Sequence, residues 1–298
     1  MRVFVTGATG FIGTAVVADL IKAGHTVLGL TRSDKGGEAL AAAGAEVHRG
    51  DLEDLDSLRR GAASSEGVIH LGFIHDFSRF QEVCEADRRA IAAMGDALAN
   101  SDRPFVVTSG TGMGTKVPGQ PATEDHFDPN HPNPRAGSEI AAEAVADRRV
   151  RVTVVRLPQV HNTEKQGLVT PVIAVSRQKG AAAYVGDGLN RWPAVHVLDA
   201  APVYRMALEK GPNRARYHAV DEEGVTAKAI AEAIGRGLKI PVVSLSPEQV
   251  GGHFGWMGMF AAMDMPASSA LTQQRLGWHP VQKAGMIEDL DNMNWSAV

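Results

Sequence analysis

Short apolar runs alternate with amphipathic segments along the first half of the chain. Runs rich in β-branched and aliphatic residues at 3–6, 26–31, 46–49, 68–71, 105–109 and 152–157 predict strands. Apolar residues recur at helical spacing over 11–23, 38–43, 55–61, 80–100 and 138–148, and these segments predict helices. Strands separated by single helices pair in parallel through right-handed crossovers. The pattern therefore predicts an α/β fold with a doubly wound parallel sheet.

The alternation loosens beyond Pro158. Helical patterns recur at 169–179, 200–210 and 227–238, with short strand-like runs at 194–197 and 217–220. A methionine-rich stretch over 253–265 is interpreted either as core or as the wall of an apolar pocket. These segments predict a smaller C-terminal lobe over the carboxyl edge of the sheet, where open α/β folds bind ligands.

A glycine-rich turn joins the first strand to the first helix. Gly7 permits a tight turn, Gly10 lets the backbone approach a pyrophosphate, and Gly13 allows the helix to pack closely on the strand. The first N–H groups of the helix and its dipole favour phosphate at this end. A strand before and a helix after the glycines make the motif specific. The turn therefore predicts a Rossmann-type site for a nicotinamide dinucleotide, with cofactor contacts from Gly7, Thr9, Gly10, Phe11, Ile12 and Gly13.

The end of the second strand indicates which dinucleotide binds. An acidic side chain there would accept a hydrogen bond from the ribose 2′-hydroxyl of NAD, but the chain reads Thr31-Arg32-Ser33. Arg32 can stack on adenine and pair with a 2′-phosphate, and Ser33 can donate to it. These residues predict NADP (as NADPH) over NAD, although an ordinary exposed arginine is the alternative. Asp51 and Leu52, after the third strand, are expected to meet the adenine edge.

These assignments divide the chain into two predicted parts. The dinucleotide-binding domain comprises residues 1–157 plus about 190–220, and the substrate-binding lobe comprises about 158–189 and 221–298. The net charge of -4, with scattered Lys and Arg, gives no electrostatic footprint for nucleic acid. A single cysteine, Cys84, suits a reducing cytoplasm, and no run reaches the roughly 18 apolar residues of a membrane helix. We expect a cytoplasmic protein with a small-molecule substrate and neither a nucleic-acid nor a membrane partner, and a homodimer is left open.

Further blocks follow the glycine turn in a fixed order. They are His70-Leu71-Gly72, Thr108-Ser109-Gly110, Arg156-Leu157-Pro158 and Leu276-Gly277-Trp278-His279-Pro280. With these blocks the chain resembles the extended or atypical branch of the short-chain dehydrogenase/reductase superfamily, the NAD-dependent epimerases and dehydratases. The resemblance implies hydride transfer between nicotinamide C4 and a substrate carbon. It also implies cofactor contacts from Leu71, Gly72, Phe73, Thr108 and Pro158, and a substrate-oxygen contact from Ser109.

The Tyr-x-x-x-Lys pair that handles the proton in that superfamily is absent. Aligning Ser138 and Glu143 with the superfamily pattern puts Arg135 at the tyrosine and Glu139 at the lysine. Arginine is a poor proton donor but a good oxyanion stabiliser, so Arg135 and Glu139 are candidate catalytic residues. The alternative is that they pair with each other four residues apart on one helix face. The three tyrosines are each followed four residues later by a residue other than lysine: Gly188, Leu208 and Asp221.

Three histidine-containing segments are further candidates. His75 is predicted to replace the missing acid because histidine titrates near neutrality, or else to bond within its own loop. The segment from Thr123 to His131 has metal-ligand residue types without a rigid spacing, so we predict a solvated loop and no metal. His196 is expected to orient the junction between the two lobes.

The leading hypothesis is an NADPH-dependent oxidoreductase that reduces a small, fairly apolar carbonyl compound, or oxidises the alcohol. An imine or alkene reductase is one alternative, because hydride transfer to an iminium or an activated alkene depends less on an acid at oxygen. A sugar-nucleotide epimerase or dehydratase is another, weakened by the absent Tyr and Lys and by the lack of an evident basic site for a second diphosphate. A non-catalytic NADP sensor is the third, and fold analogy does not separate them.

Overall fold

The computed structural model describes residues 1–296 and shows strands and helices in alternation. The strands are β1 (Arg2–Thr6), β2 (Thr26–Thr31), β3 (Glu46–Arg49), β4 (Gly67–His70), β5 (Pro104–Gly110), β6 (Arg151–Leu157), β7 (Gln159–His161), β8 (Ala182–Val185), β9 (Arg191–His196), β10 (Ala215–His218), β11 (Glu222–Thr226) and β12 (Val242–Leu245). The helices are α1 (Phe11–Lys22), α2 (Asp34–Ala42), α3 (Leu55–Ala63), α4 (Phe80–Leu98), α5 (Ala136–Ala146), α6 (Val169–Lys179), α7 (Val197–Lys210), α8 (Ala227–Leu238), α9 (Val250–Phe254), α10 (Gly258–Ala261), α11 (Ala270–Leu276) and α12 (Met286–Asp291).

Seven parallel strands form the main sheet in the order β10-β6-β5-β4-β1-β2-β3. The chain winds outward from β1 in one direction and from β4 in the other, so the direction reverses between these two neighbours. Thr6 at the end of β1 lies beside His70 at the end of β4. The predicted doubly wound, Rossmann-type α/β fold is confirmed, and its ligand crevice is expected where β1 and β4 end.

Two apolar layers cover the faces of this sheet. Val3 and Val5 point to one face and pack with α1 and α7, where Leu20 and Tyr204 are fully buried. The alternate residue Phe4 points to the other face and joins the layer formed by α3, α4 and α5. Period-two alternation along β1 therefore divides its side chains between two cores, and each large buried side chain contributes about 1.5–3 kcal/mol.

Local sequence signals explain where several helices begin and end. The Ser33 hydroxyl accepts a hydrogen bond from the Gly36 amide, so α2 begins at Asp34, ahead of the predicted start at residue 38. Asp54 and Thr226 cap α3 and α8 in the same way. Gly277 follows α11 with a left-handed φ of 66°, which glycine adopts without steric cost.

The smaller lobe contains a three-stranded sheet, β11-β9-β7, and a two-stranded sheet, β12-β8. The sequence pattern did not predict β7, β8, β11 and β12, because these strands have five residues or fewer and the residues of β12 are half-buried or exposed. Within residues 190–220, β9 belongs to the three-stranded sheet, whereas β10 joins the main sheet. Residues 297 and 298 of the predicted substrate lobe lie outside the described residues.

The methionine-rich stretch contains both core and surface residues. Met257 is fully buried in the core of the smaller lobe, whereas Met259 and Met263 are exposed. The core interpretation therefore holds for Met257, and the pocket-wall interpretation of this stretch stays a prediction. In the part of the chain that the structure describes, no helix combines the length and the apolar character needed to cross a membrane.

Candidate active site

The glycine turn at the end of β1 is closely packed at Gly7 and Gly13 and open at Gly10. A Cβ atom on Gly13 would lie 2.0 Å from the Gly7 oxygen, and one on Gly7 would lie 2.7 Å from the Gly72 nitrogen. On Gly10 the nearest atom would be the Gly7 oxygen at 3.2 Å, so that glycine faces outward at the start of α1. Gly10 provides no side-chain cap, so the first amides of α1 are available to an anion. This geometry fits a bound dinucleotide pyrophosphate, while Thr9 is exposed beside it and Phe11 and Ile12 are half-buried.

The end of β2 carries the residues predicted to select the cofactor. Arg32 is 78 % exposed and its Nη1 lies 3.5 Å from a carboxylate oxygen of Asp51. So exposed an ion pair is weak, and an incoming phosphate can compete for the guanidinium. The Ser33 oxygen accepts from Gly36, which leaves its hydroxyl proton to donate. Thr31, at the end of the strand, is buried. Leu52 packs on Gly72, since a Cβ on that glycine would lie 2.7 Å from Leu52 Cδ2.

A chain of buried hydrogen bonds runs from the ends of β1 and β4 to helix α4. Thr6 Oγ1 accepts from the Gly72 amide at 3.1 Å and lies 2.7 Å from His70 Nδ1. His70 Nε2 lies 3.1 Å from Asp87 Oδ1. Because an ionised carboxylate only accepts, His70 donates to Asp87 from Nε2. The glycine turn is therefore connected to Asp87.

Asp87 holds Arg135 at the carboxyl edge of the sheet. Asp87 Oδ2 accepts from Arg135 Nη1 at 2.7 Å and from the Ser138 hydroxyl at 2.6 Å. Burial by itself would raise the pKa of Asp87, but Arg135, His70 and Ser138 outweigh it and lower the pKa to about 2. Arg135 Nη2 also donates to the Thr108 oxygen at 2.9 Å. Asp87 is thus a carboxylate at any working pH.

The predicted pairing of Arg135 with Glu139 is wrong, because each side chain has other partners. Glu139 is fully buried and accepts from Arg156 Nε and Nη2, both at 2.8 Å, and from Arg216 Nε at 2.9 Å. Burial alone would raise the pKa of Glu139, but Arg156 reverses the effect and lowers the pKa below its ordinary value. Glu139 organises two interior arginines, and any catalytic part for it stays a prediction.

Ser109 and Thr108 point to opposite faces of β5. Thr108 Oγ1 donates to the His70 oxygen at 2.7 Å and contacts the Tyr204 hydroxyl at 3.0 Å. The Ser109 hydroxyl lies near Glu139 and helps to lower the pKa of that carboxyl, yet it forms no hydrogen bond of normal geometry within residues 1–296. A buried hydroxyl without a partner is uncommon and often marks a functional position. The substrate contact predicted for Ser109 stays a prediction.

His75 lies in the loop after β4, beside Phe73 and Arg135. Its ring lies 5.5 Å from that of Phe73, and the Arg135 guanidinium lies 4.2 Å from the centre of the same Phe73 ring. Burial lowers the pKa of His75 below its ordinary value, and the charge of Arg135 lowers it further. The lowered pKa favours the neutral imidazole at pH 7, and the part of His75 as the missing acid stays a prediction. A neutral His75 is suited to accept a proton.

An aromatic wall, defined as Phe73, Phe77, Phe80, Trp256 and Phe260, continues from this loop into the smaller lobe. Phe77 stacks on Trp256 with ring centres 4.8 Å apart and 11° between the planes, and it stacks on Phe80 at 5.7 Å. Phe260 meets the Phe77 ring edge-on at 6.2 Å. Within the aromatic wall, Phe73 lies against Arg135. Leu71 is half-buried where β4 ends, and Pro158 is half-buried immediately after β6.

Sequence reasoning missed Asp87, which is central to the site. An aspartate within a 19-residue helix ordinarily faces solvent, and nothing in the motif pattern pointed to it. One signal was present: residues at -4, +3 and +7 from Asp87 are Val83, Ala90 and Met94, so the carboxylate lies on the apolar face of α4. A charged residue on an apolar helical face indicates a buried partner.

The segment with metal-ligand residue types is held by separate contacts. Glu124 Oε1 accepts from the amide and the hydroxyl of Thr272, and Asp125 pairs with Arg275. Among residues 1–296, no three His, Cys, Asp or Glu side chains come together in a way that could hold a metal ion. His196 precedes α7 and its Nδ1 accepts from the Leu198 amide at 3.2 Å.

Comparisons with known proteins agree with this geometry. The profile of the NAD dependent epimerase/dehydratase family matches residues 3–220. The uncharacterized protein C2A9.02 of Schizosaccharomyces pombe is 46% identical over 289 residues, 97% of this chain and 98% of that protein. A decarboxylating sterol-4-alpha-carboxylate 3-dehydrogenase of Dictyostelium discoideum is 25% identical over 243 residues, 75% of this chain and 72% of that protein. DesIV, a dTDP-glucose 4,6-dehydratase of Streptomyces venezuelae with NAD bound, has the same fold with a TM-score of 0.78 at 18% identity, covering 100% of this chain and 97% of that one.

Proposed function

The chain belongs to the NAD dependent epimerase/dehydratase family, and on that premise we propose that it is an NADPH-dependent oxidoreductase of a small, largely apolar carbonyl compound or of the corresponding alcohol. Enzymes of this extended short-chain dehydrogenase/reductase type depend on a nicotinamide dinucleotide. The observation that carries the finer proposal is Arg135, which occupies the position of the missing tyrosine and is held at the carboxyl edge of the sheet by Asp87 and Thr108.

Arg135 is suited to stabilise the charge that develops on a substrate oxygen. NADPH, when bound, supplies the hydride that reduces the carbonyl carbon. Arg135 then offers N–H donors to the oxygen, and one such donor typically contributes about 10²–10³ in rate. In alcohol oxidation the neutral His75 would accept the hydroxyl proton, and in carbonyl reduction the protonated imidazole would return that proton to the alkoxide oxygen.

The aromatic wall supports an apolar substrate. Phe73 lies against Arg135, the other four rings pack against one another, and apolar pockets with a few polar groups are typical small-molecule sites. The name of the Dictyostelium relative includes a sterol-4-alpha-carboxylate, whose sterol part is also largely apolar. A sugar-nucleotide reaction is disfavoured because the tyrosine and lysine of the family's proton chemistry are replaced by Arg135 and Glu139.

Measurements of cofactor affinity test the proposed preference for NADPH. We expect NADPH to bind more tightly than NADH, and Arg32→Ala to reduce that ratio tenfold or more, because a charge-assisted hydrogen bond contributes about 1.5–3 kcal/mol. Fluorescence titration measures both affinities. Arg59→Ala is the matched control, since Arg59 is also an exposed, ion-paired arginine but lies on α3. Equal affinities for the two cofactors in the unaltered protein would contradict the proposal.

Measurements of turnover test the proposed substrate class. Consumption of NADPH is measured against a panel of neutral ketones and aldehydes, imines, enones and sugar nucleotides. We expect the carbonyl compounds to be reduced and Arg135→Ala to lower kcat by about 10²–10³ with little change in NADPH affinity. Preferential turnover of imines or of sugar nucleotides would replace the proposed substrate class. Tight NADPH binding with no turnover anywhere in the panel would favour a cofactor sensor.

A further inference from the structure

Arg135 combines free hydrogen-bond donors with a charge that is already neutralised. A guanidinium has five N–H donors. Nη1 donates to Asp87 and Ser138, and Nη2 donates to the Thr108 oxygen. Within residues 1–296 two donors are left without a partner, and 15 % of the side chain is exposed beside Phe73. Arg135 can therefore donate two hydrogen bonds to a ligand in the crevice.

The charge of Arg135 is balanced from the side of the protein interior. The side chain of Asp87 is 2 % exposed, and its Oδ2 lies 2.7 Å from Arg135 Nη1. The low pKa of Asp87 keeps it ionised. Among the other titratable groups that the Arg135 charge reaches, burial raises the pKa of Cys84 to about 11, raises the pKa of Tyr204 and lowers the pKa of His75, so all three favour their neutral forms. The Asp87–Arg135 pair therefore has donors but no net charge of its own, and the Phe73 ring lies against it.

We propose that Asp87 determines the substrate class of this site, restricting it to neutral carbonyl compounds and excluding carboxylates and phosphates. This inference rests on the proposed function. A neutral carbonyl oxygen accepts the two free N–H bonds at a small desolvation cost. An anion would lose its hydration shell against the aromatic wall, and a neutral ion pair attracts it only as a dipole. Without Asp87, the same guanidinium would be a full cation and would favour a bidentate carboxylate.

Benzamide and benzoate test the inference, because the two molecules have nearly the same shape and differ in charge. Their binding to the NADPH-bound protein is measured by isothermal titration calorimetry. We expect the unaltered protein to bind benzamide at least about tenfold more tightly, a difference of roughly 1.4 kcal/mol. Asp87→Asn should shift the ratio of affinities toward benzoate by about tenfold or more. Ser138→Ala is the matched control, since it removes a bond to Asp87 without changing charge, and it should leave the ratio unchanged.

Three results would overturn the inference. They are benzoate binding to the unaltered protein as tightly as benzamide, an unchanged ratio in folded Asp87→Asn, and binding of neither probe. The comparison in the unaltered protein needs no variant, so a failure to prefer benzamide overturns the inference even if Asp87→Asn does not fold. The proposed function fails separately, if the two probes bind as expected but no neutral carbonyl compound is reduced.

Discussion

Replacing Glu139 by lysine would restore the lysine that related enzymes carry at this position, and we expect the substitution to unfold much of the protein. In the family resemblance that lysine binds the nicotinamide ribose. Here the position is fully buried, and the surroundings are already cationic because Arg156 and Arg216 both point at it. A lysine would face two arginines without a carboxylate between them.

The magnitude follows from the contacts of Glu139. Its carboxylate accepts two hydrogen bonds from Arg156 at 2.8 Å and one from Arg216 at 2.9 Å, and neither Glu139 nor Arg156 is exposed to solvent. Removing one partner of a buried ion pair costs about 3–5 kcal/mol. A third positive charge adds repulsion to that loss. A typical domain has a free energy of unfolding of only about 5–15 kcal/mol, so most of the stability is at risk.

Urea denaturation followed by tryptophan fluorescence measures the effect. Ile140→Lys is the matched control, because it introduces the same side chain one residue further along α5 at a position that is 42% exposed. We expect that control to change the free energy of unfolding by less than about 0.5 kcal/mol. Glu139→Gln should fall between the two, since it removes the charge without adding another. A Glu139→Lys protein within about 1 kcal/mol of the unaltered one would refute the reasoning.

The difference in stability between the unaltered protein and Glu139→Gln should also depend on pH. The folded protein lowers the pKa of Glu139, so the stability that its charge contributes is fully present above the unfolded carboxyl value of about 4.3. That contribution is lost as the pH falls through the lower folded pKa. We therefore expect the stability gap between the unaltered protein and Glu139→Gln to narrow on acidification below about pH 4. A gap that widens on acidification would show that Glu139 is protonated in the folded state.

Two further predictions concern the cofactor turn and the substrate oxygen. Gly10→Val should abolish NADPH binding, because the added side chain would fill the pyrophosphate position. The protein should still fold, because within the protein that side chain meets only the Gly7 oxygen. Retained NADPH affinity in a fluorescence titration would contradict this prediction. Ser109→Ala should lower kcat by about 10²–10³ with only a small loss of stability, since its hydroxyl forms no hydrogen bond of normal geometry within the described residues and contributes only through its proximity to Glu139. Phe replacements of Tyr184, Tyr204 and Tyr217 should each cost less than about tenfold in kcat, and an inactive tyrosine variant beside an active Ser109→Ala would place the chemistry elsewhere.

Local sequence determined the parts of this protein that depend on residues near one another in the chain. Alternating strands and helices predicted the doubly wound sheet, because periodicity reports which side of an element is buried. The glycine turn was predicted because its three glycines lie within seven residues, and the steric limits that require them act within that short segment. Thr31-Arg32-Ser33 was singled out on the same local basis.

Only the tertiary structure decided which charged side chains meet. Asp87 and Arg135 are 48 residues apart, and Glu139 pairs with Arg216 at a separation of 77 residues. Spacing on one helix suggested that Arg135 and Glu139 pair with each other, but burial gave each of them a stronger partner on another element. Neighbours in space lower the pKa of Asp87 against the effect of burial, whereas burial itself lowers the pKa of His75. Such pairings depend on how distant elements pack, and no local pattern encodes them.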